Sequence, residues 1–178
     1  MPKDPDLDLE QNVFADNPYF ESENSARANG QKICGGGHVY REDREDSTIF
    51  LEFHSHRKPV FEAIDNSAKF LAKFITESEA IGVKVILREL LMNAVIHGNG
   101  SNGELLVRSA IEHLGDKDFK IWVEDEGSGF DYGNITDIDQ DFQYPKKRRG
   151  YLLINRLSDR IRFNEKGNRV TVYLKAKT

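Results

Sequence analysis

From about Glu79 to Ile96 the sequence reads as one helix, yet two of its polar residues, and the histidine directly after it, fall on the side where a core would be expected. At about 100° per residue, Lys84 and Arg88 lie one turn apart and mark a solvent stripe. Val83, Ile86, Leu87, Leu90, Leu91 and Ala94 cover one flank, and Val85, Met92 and Ile96 cover the other. Glu89, Asn93 and His97 then follow one another at i, i+4 spacing, roughly opposite the solvent stripe. Burying an unpaired carboxylate is costly or shifts its pKa, so this stripe needs partners. Two readings are open. One is a structural network, with Glu89 bonded to backbone and His97 interacting with the helix C-terminal dipole. The other is a cavity wall that faces a hydrated metal and phosphate.

The remaining pattern sets the frame around this helix. Residues 1–46 are rich in Asp, Glu, Asn, Ser and Gly and show no sustained period. They read as a polar extension or linker, with a short strand expected near Ile33 or His38–Tyr40. Residues 47–178 read as the folded domain. Thr48–His54 is a strand, and a helix follows with Pro59 in its first turn, where the missing N–H costs little. After the polar-striped helix and its Gly98-Asn99-Gly100 stop come strands near Glu104–Glu112 and Phe119–Asp125, with a turn at Gly115-Asp116. A long polar loop over 126–149 precedes a helix from Tyr151 to about Ser158. A hairpin, Arg160–Asn164 and Arg169–Ala176, closes the chain. This order predicts an α+β two-layer sandwich, helices on one face of a mixed or antiparallel sheet.

Two further segments carry chemistry. Asp125-Glu126-Gly127-Ser128-Gly129 follows a strand directly. An aspartate at a strand end can accept a hydrogen bond from an exocyclic amine, and two glycines let the backbone turn sharply beside a ligand. The same five residues also suit an ordinary turn. Gly150 opens a helix after Lys146-Lys147-Arg148-Arg149. Free N–H donors and the positive dipole end suit a polyphosphate there, with Arg148 and Arg149 able to neutralise charge. A solvated basic run would look the same.

Taken in order, the three segments resemble the N, G1 and G2 boxes of GHKL ATPases, the histidine kinase-like group whose Bergerat fold is an α/β sandwich. The stretch Glu89-Leu-Leu-Met-Asn93-Ala-Val-Ile-His97-Gly98-Asn99 is similar to the N box of anti-sigma factor serine/threonine kinases. Asp125-x-Gly127-x-Gly129 is similar to the G1 box, and the helix opened by Gly150 to the G2 box. No phosphoacceptor-histidine hairpin is recognisable, unlike in a complete sensor kinase.

The resemblance implies roles position by position. Glu89 would be the general base, and Asn93 a Mg²⁺ ligand in an ATP site that His97 also borders. Asp125 would bond the adenine amine, with Gly127 and Gly129 shaping the wall beside the base. Arg148, Arg149 and Gly150 would meet the phosphates, and residues 132–149 would form an ATP lid. One position departs from the pattern: Arg148 stands where the family's phosphate loop has its first glycine. Implied partners are a sigma factor or comparable regulator, an anti-sigma antagonist of the STAS type, and a second copy in a homodimer.

Composition narrows the alternatives. A formal net charge of -5 lacks the basic footprint of a general nucleic-acid binder. No apolar run approaches the roughly 18 residues of a membrane span, and the acidic start lacks a signal-peptide core, so a cytoplasmic location is expected. The single cysteine, Cys34, excludes an internal disulfide. His54-Ser55-His56 could place two imidazoles on one strand face, but zinc would need more ligands. Asp137-Ile-Asp139-Gln-Asp141 has Phe142 where a calcium loop needs glycine. Ser128 lacks a nucleophile-elbow context, and Trp122 reads as a core-facing strand residue.

Overall fold

A computed structural model of the chain describes residues 32–34, 38–129 and 149–177. Strands β1 (Lys32–Cys34), β2 (His38–Arg44) and β3 (Thr48–His54) come first, then helices α1 (Arg57–Leu71) and α2 (Glu77–Asn93). Strands β4 (Leu106–Gly115) and β5 (Asp118–Asp125), helix α3 (Arg149–Leu157), and strands β6 (Arg160–Phe163) and β7 (Arg169–Lys175) follow. The strands form one sheet in the order β1-β2-β3-β4-β5-β7-β6. Every pairing is antiparallel, which settles the choice left between a mixed and an antiparallel sheet. Strands β1 and β2 extend the sheet into the stretch read from sequence as an extension, at the two places where a short strand was expected.

Alternation along the strands builds the core between sheet and helices. Phe119, Ile121 and Val123 of β5 are buried with Ile49, Leu51 and Phe53 of β3, against Val60 and Phe70 of α1 and Ile86, Leu87 and Leu91 of α2. Fully burying one such side chain contributes about 1.5–3 kcal/mol, so the anchoring of α2 rests mainly on this face. In α1 the buried positions Pro59, Val60, Ala63, Ser67, Phe70 and Leu71 keep helical spacing, and Ser67 satisfies its hydroxyl on the Ala63 carbonyl. Pro59 falls among the first helical residues, where backbone N–H groups lack acceptors within the helix.

Trp122 is buried but does not belong to this core. Successive strand residues point to opposite faces, and Ile121 and Val123 take the helix side. Trp122 therefore lies on the other face, in register with Ala110 and Thr171. The Arg169 guanidinium stands over its ring at 4.2 Å. Periodicity correctly marks Trp122 as a sheet residue, but the identity of its neighbours decides the face.

Helix α2 starts at a capping box. Thr76 accepts from the Glu79 N–H, and the Glu79 carboxylate accepts from the Thr76 N–H at 2.9 Å. Glu79 also takes Lys117 of the β4–β5 turn at 2.5 Å. At its other end α2 widens into a π-helical turn, Ala94–Gly98, which ends at the glycine cluster expected to stop it. The Asn99 N–H closes that turn on the Ala94 carbonyl at 2.8 Å.

Candidate nucleotide site

The site forms where the C-terminal half of α2, the end of β5 and the start of α3 meet. The core contacts fix α2 against the sheet, so Glu89 and Asn93, both only half-buried, lie on the side of the helix turned toward α3. A β-carbon added to Gly150 would lie 2.8 Å from Glu89 Oε2 and 3.8 Å from Asn93 Nδ2. The first turn of α3 thus approaches both side chains closely, and a larger residue at this position would require the Glu89 carboxylate to swing aside. A helix N-terminus carries unpaired N–H groups and a partial positive charge. Glu89 is otherwise engaged by Arg88 at 3.3 Å, an exposed pair of little strength. The Asn93 amide makes no hydrogen bond among the described residues.

The second half of the site is built around Asp125. Its backbone is bonded on both sides to Asn168 of the β6–β7 turn: the Asp125 N–H donates to the Asn168 carbonyl, and Asn168 Nδ2 donates to the Asp125 carbonyl. Its carboxylate Oδ1 accepts from the Gly127 N–H at 2.9 Å. No donor among the described residues meets Oδ2. Burial pushes the Asp125 carboxyl above its ordinary value, opposed by the Gly127 N–H and by the charge of Lys166. A half-buried acceptor with an open oxygen is chemically suited to a neutral amine donor.

Gly98 and Gly127 hold the two halves in contact. A β-carbon on Gly98 would strike the Asp125 carboxylate, 2.6 Å from Oδ1. One on Gly127 would come within 2.7 Å of the Gly98 carbonyl carbon. Gly129, at φ 78°, seats against the Lys166 backbone in a conformation that disfavours a side chain.

Five of the residues singled out from sequence therefore gather: Glu89, Asn93 and Gly150 at one end, Asp125 and Gly127 at the other. Gly129 stands behind the second group. His97 is placed differently, exposed on the π-helical turn. The i, i+4 stripe assumed an α-helix throughout, and a wider turn rotates whatever follows Asn93. Arg149 is the first residue of α3, though its side chain lies outside the described residues. Arg148 and the remainder of the expected lid lie outside them entirely.

Two residues important to this arrangement receive no role in the sequence reading. Asn99 ends the N-box-like stretch and belongs to the helix stop, and Asn168 falls in a hairpin turn; both are buried and both bond the Asp125 segment. A tally of which asparagines must lose water would have singled them out.

No cluster of three or more His, Cys, Asp or Glu suited to a metal occurs among the described residues. A hard cation held by one amide oxygen, phosphate oxygens and water needs no such cluster. No described helix is long and apolar enough to cross a membrane.

The sequence profile of a family described as the histidine kinase-like ATPase domain matches residues 57–174, more than half of the chain. No curated protein matches the chain.

Proposed function

The chain belongs to the histidine kinase-like ATPase family, and from that premise we propose that it is an Mg-ATP-dependent serine/threonine protein kinase of the anti-sigma factor type. The observation that carries this reading is the convergence of Glu89, Asn93 and Gly150 at one end of a site whose other end is the open carboxylate oxygen of Asp125. Such an arrangement suits a molecule with an amine at one end and polyphosphate at the other.

Asp125 would accept from the adenine amine. Gly150 would present the N-terminal amides of α3 to phosphate, with Arg148 and Arg149 adding charge, and Asn93 would hold Mg²⁺ through its amide oxygen. ATP supplies a transferable phosphoryl group when bound. Glu89 would take the proton of an incoming serine hydroxyl as its oxygen bonds to the γ-phosphorus and the bond to the β-phosphate oxygen breaks, releasing ADP. His97, exposed beside the pocket, would meet nucleotide only at the rim. The acceptor serine would belong to a small STAS-type antagonist. A sigma factor or comparable regulator would be the protein sequestered, in the cytoplasm, by a homodimer of this chain.

Titration with ATP, with and without Mg²⁺, tests the pocket: binding strengthened by Mg²⁺ is expected, and no binding at millimolar ATP sinks the proposal. Phosphotransfer to a STAS-type antagonist should then fall by about 10²–10⁴-fold in Glu89→Ala, the range for loss of a general base. It should fall comparably in Asn93→Ala. Binding without transfer in the native chain would leave a partner-binding module in place of a kinase.

A further inference from the structure

We propose that Asn99 is a positioning residue for nucleotide recognition, fixing the Asp125 loop to the helix that carries Glu89 and Asn93. The inference rests on the nucleotide-pocket reading and adds a residue to it.

Asn99 is 4% exposed and uses every polar group it has in a different direction. Its N–H closes the π-helical turn on Ala94. Its Nδ2 donates to the Leu106 carbonyl at 2.8 Å, at the start of β4. Its Oδ1 accepts the Glu126 N–H at 2.9 Å, directly after Asp125. The Glu126 carboxylate in turn accepts the Leu106 N–H at 2.9 Å. Asn99, Leu106 and Glu126 therefore form a closed ring of three hydrogen bonds, anchored at one corner to the end of α2.

An asparagine after a helix is commonly explained by its tolerance of the left-handed conformation. Asn99 has φ -86° and ψ 0°, so backbone preference does not account for it. What the position demands is one short side chain that donates from one atom and accepts on another, which the asparagine amide provides and a single hydroxyl does not. Asn168 holds Asp125 from the opposite side through both of its backbone polar groups. Between the two asparagines the carboxylate has a fixed place relative to Glu89 and Asn93, and the spacing between an amine donor and a bound phosphate is set by that place.

The experiment is a double-mutant cycle read by ATP titration of the full chain in the presence of Mg²⁺, with melting temperature recorded for each variant. Asn99→Ala should weaken ATP about tenfold, the scale of one buried hydrogen bond lost with its partner left unsatisfied. In an Asp125→Ala background the same change should cost less than about twofold, because a residue that acts through Asp125 has nothing left to position. Asn99→Asp, which keeps the acceptor for Glu126 but loses the donor to Leu106, should weaken ATP by only about threefold while lowering the melting temperature. If Asn99→Ala does not fold, Asn99→Ser, whose hydroxyl is too short to reach Glu126, takes its place in the cycle. Equal losses in both backgrounds would mean that Asn99 only supports the fold and would overturn the inference. Wild-type affinity in folded Asn99→Ala would do the same while leaving the pocket intact. Failure of the wild-type chain to bind ATP would remove the pocket and this inference together.

Discussion

Asp125 sits in surroundings that favour its protonated form, while the proposed bond from an adenine amine requires the carboxylate. The two demands give a pH signature. Burial raises its pKa, so the acid protonates at a higher pH than the roughly 3.9 of a free aspartate. ATP affinity should be constant near neutrality and weaken as the pH falls through that raised value, earlier than an ordinary aspartate would allow. Asp125→Asn should bind about tenfold more weakly at neutral pH and lose this component of the profile. The difference between the two binding-versus-pH curves isolates Asp125 from titration of the phosphates. A group whose folded pKa is raised contributes stability below its unfolded pKa and loses it as the pH rises through the folded one. At neutral pH the ionised side chain is therefore the less stabilising form, and Asp125→Asn should melt no lower than the native chain. Lower stability together with unchanged affinity would contradict this account. Asp125 itself was legible in the sequence because a D-x-G-x-G after a strand is a compact local pattern. Asn99 and Asn168 were not, since their importance lies in partners 27 and 43 residues away.

At the scale of the element, α2 joins a strong start to an irregular finish. Two bonds from Thr76 and one from Lys117 converge on Glu79, with Lys117 the largest cause, and hold its pKa down to about 2. For a carboxylate whose folded pKa is depressed, the stabilisation is present above the unfolded pKa, about 4.3, and lost as the pH falls toward the folded one. Melting temperatures of native chain and Glu79→Gln should therefore differ most above about pH 5 and draw together near pH 2. A gap that stayed constant over that range would show that the carboxylate charge is irrelevant. The box is the pattern Thr76-x-x-Glu79, which a helix start read at Glu79 passed over, whereas the apolar flanks of the helix were legible from period alone. The π-helical turn was not. It is a shift from i→i+4 to i→i+5 hydrogen bonding over Ala94–Gly98, and the apolar period of the sequence carries no trace of it.

At the scale of the whole molecule, the order of strands and helices from Thr48 onward was readable from turn residues and changes of period. The α+β sandwich followed from it. Which strand neighbours which was less so, because β7 inserts between β5 and β6 and only the register shows it. The face taken by Trp122 belongs to the same class of unknown. Amide hydrogen exchange should rank the two ends of the pocket: Glu126, with its N–H on a buried asparagine and next to a strand held on both sides, should exchange more slowly than the first turn of α3, whose amides have no acceptor within the helix. Equal protection would mean that both ends open together.

The Glu126–Asn99 bond spans only 27 residues, whereas Glu89 meets Gly150 across more than twice that length of chain. Closing a loop costs about 0.6 kcal/mol more for each doubling, so the penalty itself is small, but the order of synthesis is not negotiable. A growing chain has issued α2, β4, β5 and the Asp125 loop well before α3 leaves the ribosome. The Asn168 turn that clasps Asp125 from the other side is issued later still, so the end proposed to hold a nucleoside is begun before α3 and completed only after it.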